Sequence, residues 1–251
     1  MRFMRESYIV FRRQLRMNLR NPAWVIIGML QPVLYLLLFG PLLKPLVNQF
    51  GATNAYTFFV PGMLVQLGIF GAFFAGFSLI GEWREGVIEA ERVTPASRTA
   101  LLVGRLCRDV AQLLVQALIL VGLGLALGME APLGGVVIGI ALTLLIGSAC
   151  AAASNALALT TKSEDVMAPV INMVMMPVLL LSGILLPMTI GPTWLEKASD
   201  FMPVRHVVDG VRNAFGGDYA SSGLLWGTAW AVLLFLLAVW WGTSAFRKED
   251  A

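Results

Sequence analysis

APLGGVVIGIALTLLIGSACAAASNALALTT, residues 131–161, contains no charged side chain. A hydrocarbon layer is crossed by about 20 predominantly apolar residues in a helix, so this stretch reads as a membrane span with residues to spare. Within it Gly135, Gly139, Thr143, Gly147 and Ala151 recur every four residues. Small residues at that spacing lie on one face and let helix backbones approach closely, which makes this a helix built for packing rather than for chemistry.

The same pattern repeats outward in both directions. Charge-free stretches cover 21–43, 45–81, 110–129, 166–195 and 219–246, and each is long enough to span. Six transmembrane helices are expected, with spans one and two near 23–43 and 56–80. The 251 residues are 58% hydrophobic and only 13% charged, against about 25% charged in a soluble domain. The longest polar regions, 81–99 and 188–222, fall below the ~40 residues that an independent core needs. Residues 1–251 therefore read as one all-α integral membrane domain.

Orientation follows from where the basic residues sit. Arg2, Arg5, Arg12, Arg13, Arg16, Arg20, Arg84, Arg92, Arg98, Arg105, Arg108, Lys162, Arg247 and Lys248 fall on one side of a six-span topology; only Lys44, Lys197, Arg205 and Arg212 fall on the other. By the positive-inside rule both termini are cytoplasmic, in a multi-pass protein of the cell membrane. The net charge of +3 is thus a matter of topology, and no nucleic-acid partner is expected. The Arg-rich leader precedes an apolar run long enough to remain in the membrane, so no cleavable signal peptide is expected. Cys107 and Cys150 both fall at or inside the membrane, and no structural disulfide is expected.

Several function classes lack their residues. No G-x-x-x-x-G-K-[ST] loop cradles a phosphate, and no H-E-x-x-H or G-x-S-x-G motif is present. The single histidine, His206, precludes a two-His metal site within one chain. No carboxylate lies mid-span to relay protons, as a proton-coupled carrier normally needs. The chain is expected to have no catalytic residues and no metal, and energy for any transport must come from another polypeptide.

Between and beside the spans lie four features. Met4, Tyr8, Phe11, Leu15 and Leu19 form one stripe, and Arg5, Arg12, Arg13, Arg16 and Arg20 the other, of a cationic helix suited to the headgroup plane; Asn21-Pro22 ends it. Span two is rich in phenylalanine. Residues 82–95, Glu-Trp-Arg-Glu-Gly-Val-Ile-Glu-Ala-Glu-Arg-Val-Thr-Pro, combine mixed charge with apolar anchors at Trp83, Val87 and Ala90, the make-up of a polar docking surface. A row of Arg105, Asp109, Gln112 and Gln116 at helical spacing enters span three; Arg105 and Asp109 suit an i,i+4 pair, and such a row should face the bundle, a vestibule or a partner.

Span five carries Pro169, Pro177, Met167, Met173, Met175 and Met176, which favours a bent or broken, adaptable helix. After it, Thr193 and Glu196 have capping-box spacing. Val204, Val207, Val208, Val211 and Phe215 form the apolar stripe of a second short helix whose other face carries Arg205, His206, Asp209 and Arg212. These external helices, within 188–222, are expected to lie on or dip into the outer leaflet. Trp226, Trp230, Trp240 and Trp241 anchor span six at the interfaces.

Leu181-Ser-Gly-Ile-Leu-Leu-Pro187, Pro192-Thr-Trp-Leu195, Pro203 and Val207-Val-Asp-Gly-Val-Arg212 together resemble the signature of the type-2 ABC exporter permeases. Within that family the chain is similar to the group of the daunorubicin-resistance membrane subunit. Glu91-Arg-Val-Thr-Pro-Ala-Ser-Arg98 is similar to the family's first cytoplasmic loop, and residues 1–20 to its elbow helix. The resemblance implies two cytosolic ATPase subunits per complex, which bind ATP and Mg2+, and a second copy of this chain or a homologous permease. It implies coupling through the 81–99 helix, with Glu82, Trp83, Arg84, Glu85, Val87, Glu89 and Arg92 as contact residues.

The resemblance does not identify the cargo; the short external loop is similar to that of the drug and lipid group, so a hydrophobic drug-like or lipid-like molecule is expected, with a lipid-linked glycan or polymer as the alternative cargo and a secondary transporter as the alternative function of a different class. Phe70, Phe73, Phe77, Gln112, Gln116, Asn172 and Met176 are the candidate residues of its path, and membrane lipid surrounds the whole.

Overall fold

Long apolar runs become helices because only a helix satisfies its backbone within one segment. In the computed structural model, which describes residues 2–20, 23–43, 45, 54–87 and 98–248, most of their described residues do so, the main exception being the irregular stretch 182–192. The described residues form no strand. In chain order the helices are α1 (Arg2–Arg20), α2 (Ala23–Leu43), α3 (Ala55–Arg84), α4 (Arg98–Ala126), α5 (Leu133–Thr161), α6 (Glu164–Leu181), α7 (Thr193–Asp200), α8 (Pro203–Phe215) and α9 (Ser222–Lys248). Five of them contain stretches long and apolar enough to cross a membrane: Ala55–Arg84, Val103–Ala126, Leu133–Thr161, Glu164–Leu181 and Ser222–Ala245. In α2 the apolar run is shorter, Ile26–Leu42, within a helix of 21 residues.

Helix ends follow local chemistry, with some departures from expectation. Asn54 caps α3 by accepting the Tyr56 N–H at 2.9 Å. The helix then runs past residue 80 to Arg84, so Glu82, Trp83 and Arg84 form its last turn. Proline does not break α6, which continues through Pro169 and Pro177 to Leu181 and ends where Gly183 takes a positive φ of 71°, a conformation that costs glycine little. The capping box at Thr193 does not form. Pro192 occupies the N-cap position and Thr193 is already helical, with no side-chain cap bond.

In the packing, α3 is the hub: 67% of its span is buried, against 11% for α6. The small-residue stripe of α5 works on two neighbours. Gly139 lies under the Phe215 ring and Gly135 against the Ala214 carbonyl of α8, while a Cβ at Gly68 of α3 would stand 3.0 Å from the Thr143 carbonyl. From its other side α8 meets α9, where a Cβ at Gly227 would come 2.5 Å from the His206 carbonyl. The apolar stripe of α8 is thereby buried in the protein's own core, with Val207, Val208 and Val211 fully inaccessible. It is clasped between α5 and α9.

Candidate functional site

At the end of the bundle where α1 lies, the last turn of α3 enters a cluster of buried polar groups. Glu82 is 8% exposed. Its Oε1 accepts the amide of Gln14 on α1 at 2.8 Å, and its Oε2 accepts Arg105 Nη2 of α4 at 2.8 Å. Arg108, one turn further along α4, donates from Nη1 to Gln14 Oε1 at 3.0 Å and from Nη2 to Asp109 Oδ1 at 2.7 Å. Two guanidinium groups and two carboxylates balance in charge. Such a group of charges survives burial only when paired and hydrogen-bonded. The carboxylate expected to contact an ATPase is therefore inside the protein, and Asp109 is held by its neighbour Arg108.

Gln14 was not among the expected site residues. Met4 and Tyr8 of the apolar stripe are exposed within the chain, whereas Ser7 and Gln14 are buried. Docking runs along Ser7, Val10 and Gln14. A Cβ at Gly104 of α4 would lie 2.7 Å from the Val10 Cβ, so a glycine is what admits α1 this closely. A glutamine among the arginines of α1 is the one signal the sequence offered.

Trp83, Arg84, Glu85 and Val87 follow Glu82 at or just past the end of α3. Arg84 pairs with Glu164 of α6 at 3.1 Å, both partly exposed. The Lys162 ammonium stands 5.8 Å from the Trp83 ring centroid. Glu85 is exposed and Val87 half-buried. Glu89 and Arg92 lie outside the described residues.

Higher on α4 the polar row turns inward. Asp109, Gln112 and Gln116 line a cavity of about 30 Å3 together with Gly71, Ala72, Gly147 and Ser148. Gln116 is 2% exposed and lies over Gly28 of α2, where a Cβ would be 2.9 Å from its Nε2. The space admits roughly two waters, far less than the ~300 Å3 or more of a small-molecule pocket. Phe70, Phe73 and Phe77 pack half-buried against the core. Asn172 is exposed on α6, with Met176 exposed four residues on. The seven candidate path residues thus do not converge on one channel within the chain.

The interior of α3 and α5 holds polar groups that the expected site did not include. Among the described residues, neither amide atom of the fully buried Gln66 has a hydrogen-bond partner, nor does the Thr143 hydroxyl. Ser154 is used: its Oγ donates to the Phe73 carbonyl at 2.6 Å and accepts the Gly76 N–H at 3.1 Å, pinning α5 to α3.

At the opposite end, Arg212 of α8 reaches the turn after α6. Its Nη2 donates to the Gly183 carbonyl at 2.7 Å and the Ile184 carbonyl at 3.2 Å, and its guanidinium lies 4.0 Å from the Phe58 ring centroid. Asp209 pairs with Arg205 at 3.6 Å and with Arg212 at 3.9 Å, the pairing along α8 that its spacing predicts. Burial lowers the Arg212 guanidinium to about 10, against the pull of Asp209, so it remains a cation at neutral pH. Burial likewise raises the Asp209 carboxyl. Arg205 also bonds the Ser199 hydroxyl, and its Nη1 donates to the Glu196 carbonyl at 2.9 Å, which ties α7 to α8.

Known proteins share this chain's pattern over most of its length. Residues 5–215 match the family described as ABC-2 type transporter. The daunorubicin resistance ABC transporter permease protein DrrB1 of Streptomyces coeruleorubidus is 28% identical over 199 residues, 78% of this chain and 70% of the relative. A transport permease of Cyanophora paradoxa, ycf38, is 26% identical over 214 residues, 84% of this chain and 74% of the relative. The multidrug ABC transporter permease YbhR of Escherichia coli K12 is 24% identical over 202 residues, 75% of this chain and 51% of the relative. With a bundle of apolar helices and a family match running from α1 through α8, this chain belongs to the ABC-2 type transporter permeases.

Proposed function

We propose that this chain is the membrane-spanning subunit of an ATP-driven exporter that moves a hydrophobic drug-like or lipid-like molecule out of the cell, with energy from separate ATPase subunits. The observation that carries this reading is where the polar and adaptable residues lie. The cavity beside the polar row holds only about two waters, whereas Asn172 and Met176 on α6, and Gln31 on α2, lie on exposed faces. An amide facing lipid is unfavourable. A second permease covering those faces would shield the amides from lipid and leave a cargo path between two chains.

In this arrangement α2 is the sixth span, α1 is an elbow helix in the inner headgroup layer, and both termini are cytoplasmic. The 81–99 segment then meets two cytosolic ATPases that hold ATP and Mg2+, and α7 and α8 form an external layer. The names of DrrB1 and YbhR point to drug cargo for those relatives, and the apolar faces of α2 and α6 suit the same class here.

The test is transport in inside-out vesicles that contain the chain and its ATPase, with daunorubicin and a fluorescent phospholipid as probes. Uptake of either probe that requires ATP and stops with vanadate is the expected result. Uptake driven by a proton gradient without ATP would replace the exporter reading with a secondary transporter.

A further inference from the structure

Glu82 joins three helices through one carboxylate. It ends α3, takes a hydrogen bond from Gln14 on α1 through Oε1, and takes a second from Arg105 on α4 through Oε2. Arg108 closes the ring by donating to Gln14 Oε1. The same turn of α3 reaches α6 through Arg84 and Glu164. On α1, Met4, Tyr8, Ile9 and Met17 are exposed while Ser7 and Gln14 are buried, and the helix packs along α4, where Gly104 meets Val10.

We infer that the Gln14–Glu82–Arg105–Arg108 cluster is a latch that docks α1 onto α3 and α4, and that Glu82 is a positioning residue for energy coupling. The coupling half of this inference rests on the permease reading above. A push on the segment after α3 meets a helix end whose last turn is locked to two neighbours. It then moves α1 and α4 as a unit instead of fraying α3. A carboxylate placed only to satisfy two arginines would need no partner on α1. The Gln14 amide, which donates to Glu82 and accepts from Arg108, is what makes the cluster a link between helices.

Two readouts test this in nanodiscs holding the permease with its ATPase: amide hydrogen exchange across residues 6–16, and probe transported per ATP hydrolysed. Glu82→Gln removes the charge that holds Arg105 and Arg108. Gln14→Leu cuts only the α1 link and leaves the α3–α4 ion pair, so it gives both readouts if Glu82→Gln fails to fold. In either variant exchange in α1 should rise by about tenfold or more as the helix opens locally, and transport per ATP should fall by at least about fivefold, the low end of a measurable coupling. Glu82→Asp should recover part of both.

Unchanged α1 exchange in both variants would overturn the latch. Released α1 with unchanged transport per ATP would overturn the positioning role. A wild-type complex that transports nothing with ATP would sink the permease reading and the coupling role with it, while the exchange comparison would still decide whether the latch exists.

Discussion

Arg105 has only 2% of its side chain accessible and a carboxylate at 2.8 Å. Removing one member of a buried pair strands the other, at a cost of about 3–5 kcal/mol. Arg105→Ala should therefore lower thermal stability in detergent markedly. Arg84→Ala, which breaks an exposed pair with Glu164, should cost no more than about 1 kcal/mol. Equal losses would mean that the Glu82 cluster is not buried in the membrane-embedded protein.

Arg212→Lys keeps the charge but loses the fork that reaches two carbonyls and the planar contact with Phe58. It should destabilise the protein by roughly 1–3 kcal/mol, read in the same thermal melt. Gln116→Leu removes an amide from the small polar cavity and should alter transport or ATPase stimulation more than a change at exposed Leu118. Matching, negligible effects would show that the row only fills space.

At the scale of elements, glycine positions decide which helices touch. Gly227→Ala would push a methyl into the His206 carbonyl and the Gly210 backbone, neither of which can rotate away. It should cost about 1–3 kcal/mol by overpacking. Gly122→Ala meets nothing within 4 Å and should be neutral or stabilising, because alanine favours helix by up to about 1 kcal/mol. Thermal unfolding of the two variants side by side checks the α8–α9 contact directly. The four-residue repeat of α5 was legible in the sequence, since close approach demands small side chains at fixed intervals. Its partners were not. Periodicity marks a face, but it carries no information about what lies opposite, and α8 came to rest there from more than 60 residues away in the chain.

Across the whole molecule the proposed orientation makes its own predictions. In a chain with Cys107 and Cys150 replaced by serine, cysteines introduced at Asn48 and Lys197 should react with an impermeant thiol reagent added outside intact cells. Cysteines at Glu89 and Ser163 should react only in inverted vesicles. Labelling of Glu89→Cys and Lys197→Cys from one side would overturn the topology. Glu85→Lys combined with Glu89→Lys should leave insertion intact and weaken ATPase binding or uncouple hydrolysis from transport. Glu85 is exposed, so charge reversal there disturbs a surface rather than the buried Glu82 cluster. Unchanged affinity and full ATP-dependent export would show that the segment is solvated loop.

What the amino-acid sequence determined by itself was the class of solvent and the class of element. Charge-free runs of 20 residues and more have a large transfer free energy into lipid, which is additive along the chain and needs no knowledge of partners. The fate of single polar residues was decided only by tertiary structure. Glu82 looks like surface in a stretch of mixed charge, and became interior because α3 runs on to Arg84 and turns it toward Arg105. Gln14 sits among arginines and became a link because Gly104 lets α1 come close. Asn172 and Gln116 are both amides within apolar helices, yet one is exposed on α6 and the other is buried over Gly28. Burial is a property of what three helices enclose together, and a helix read alone carries only its own face.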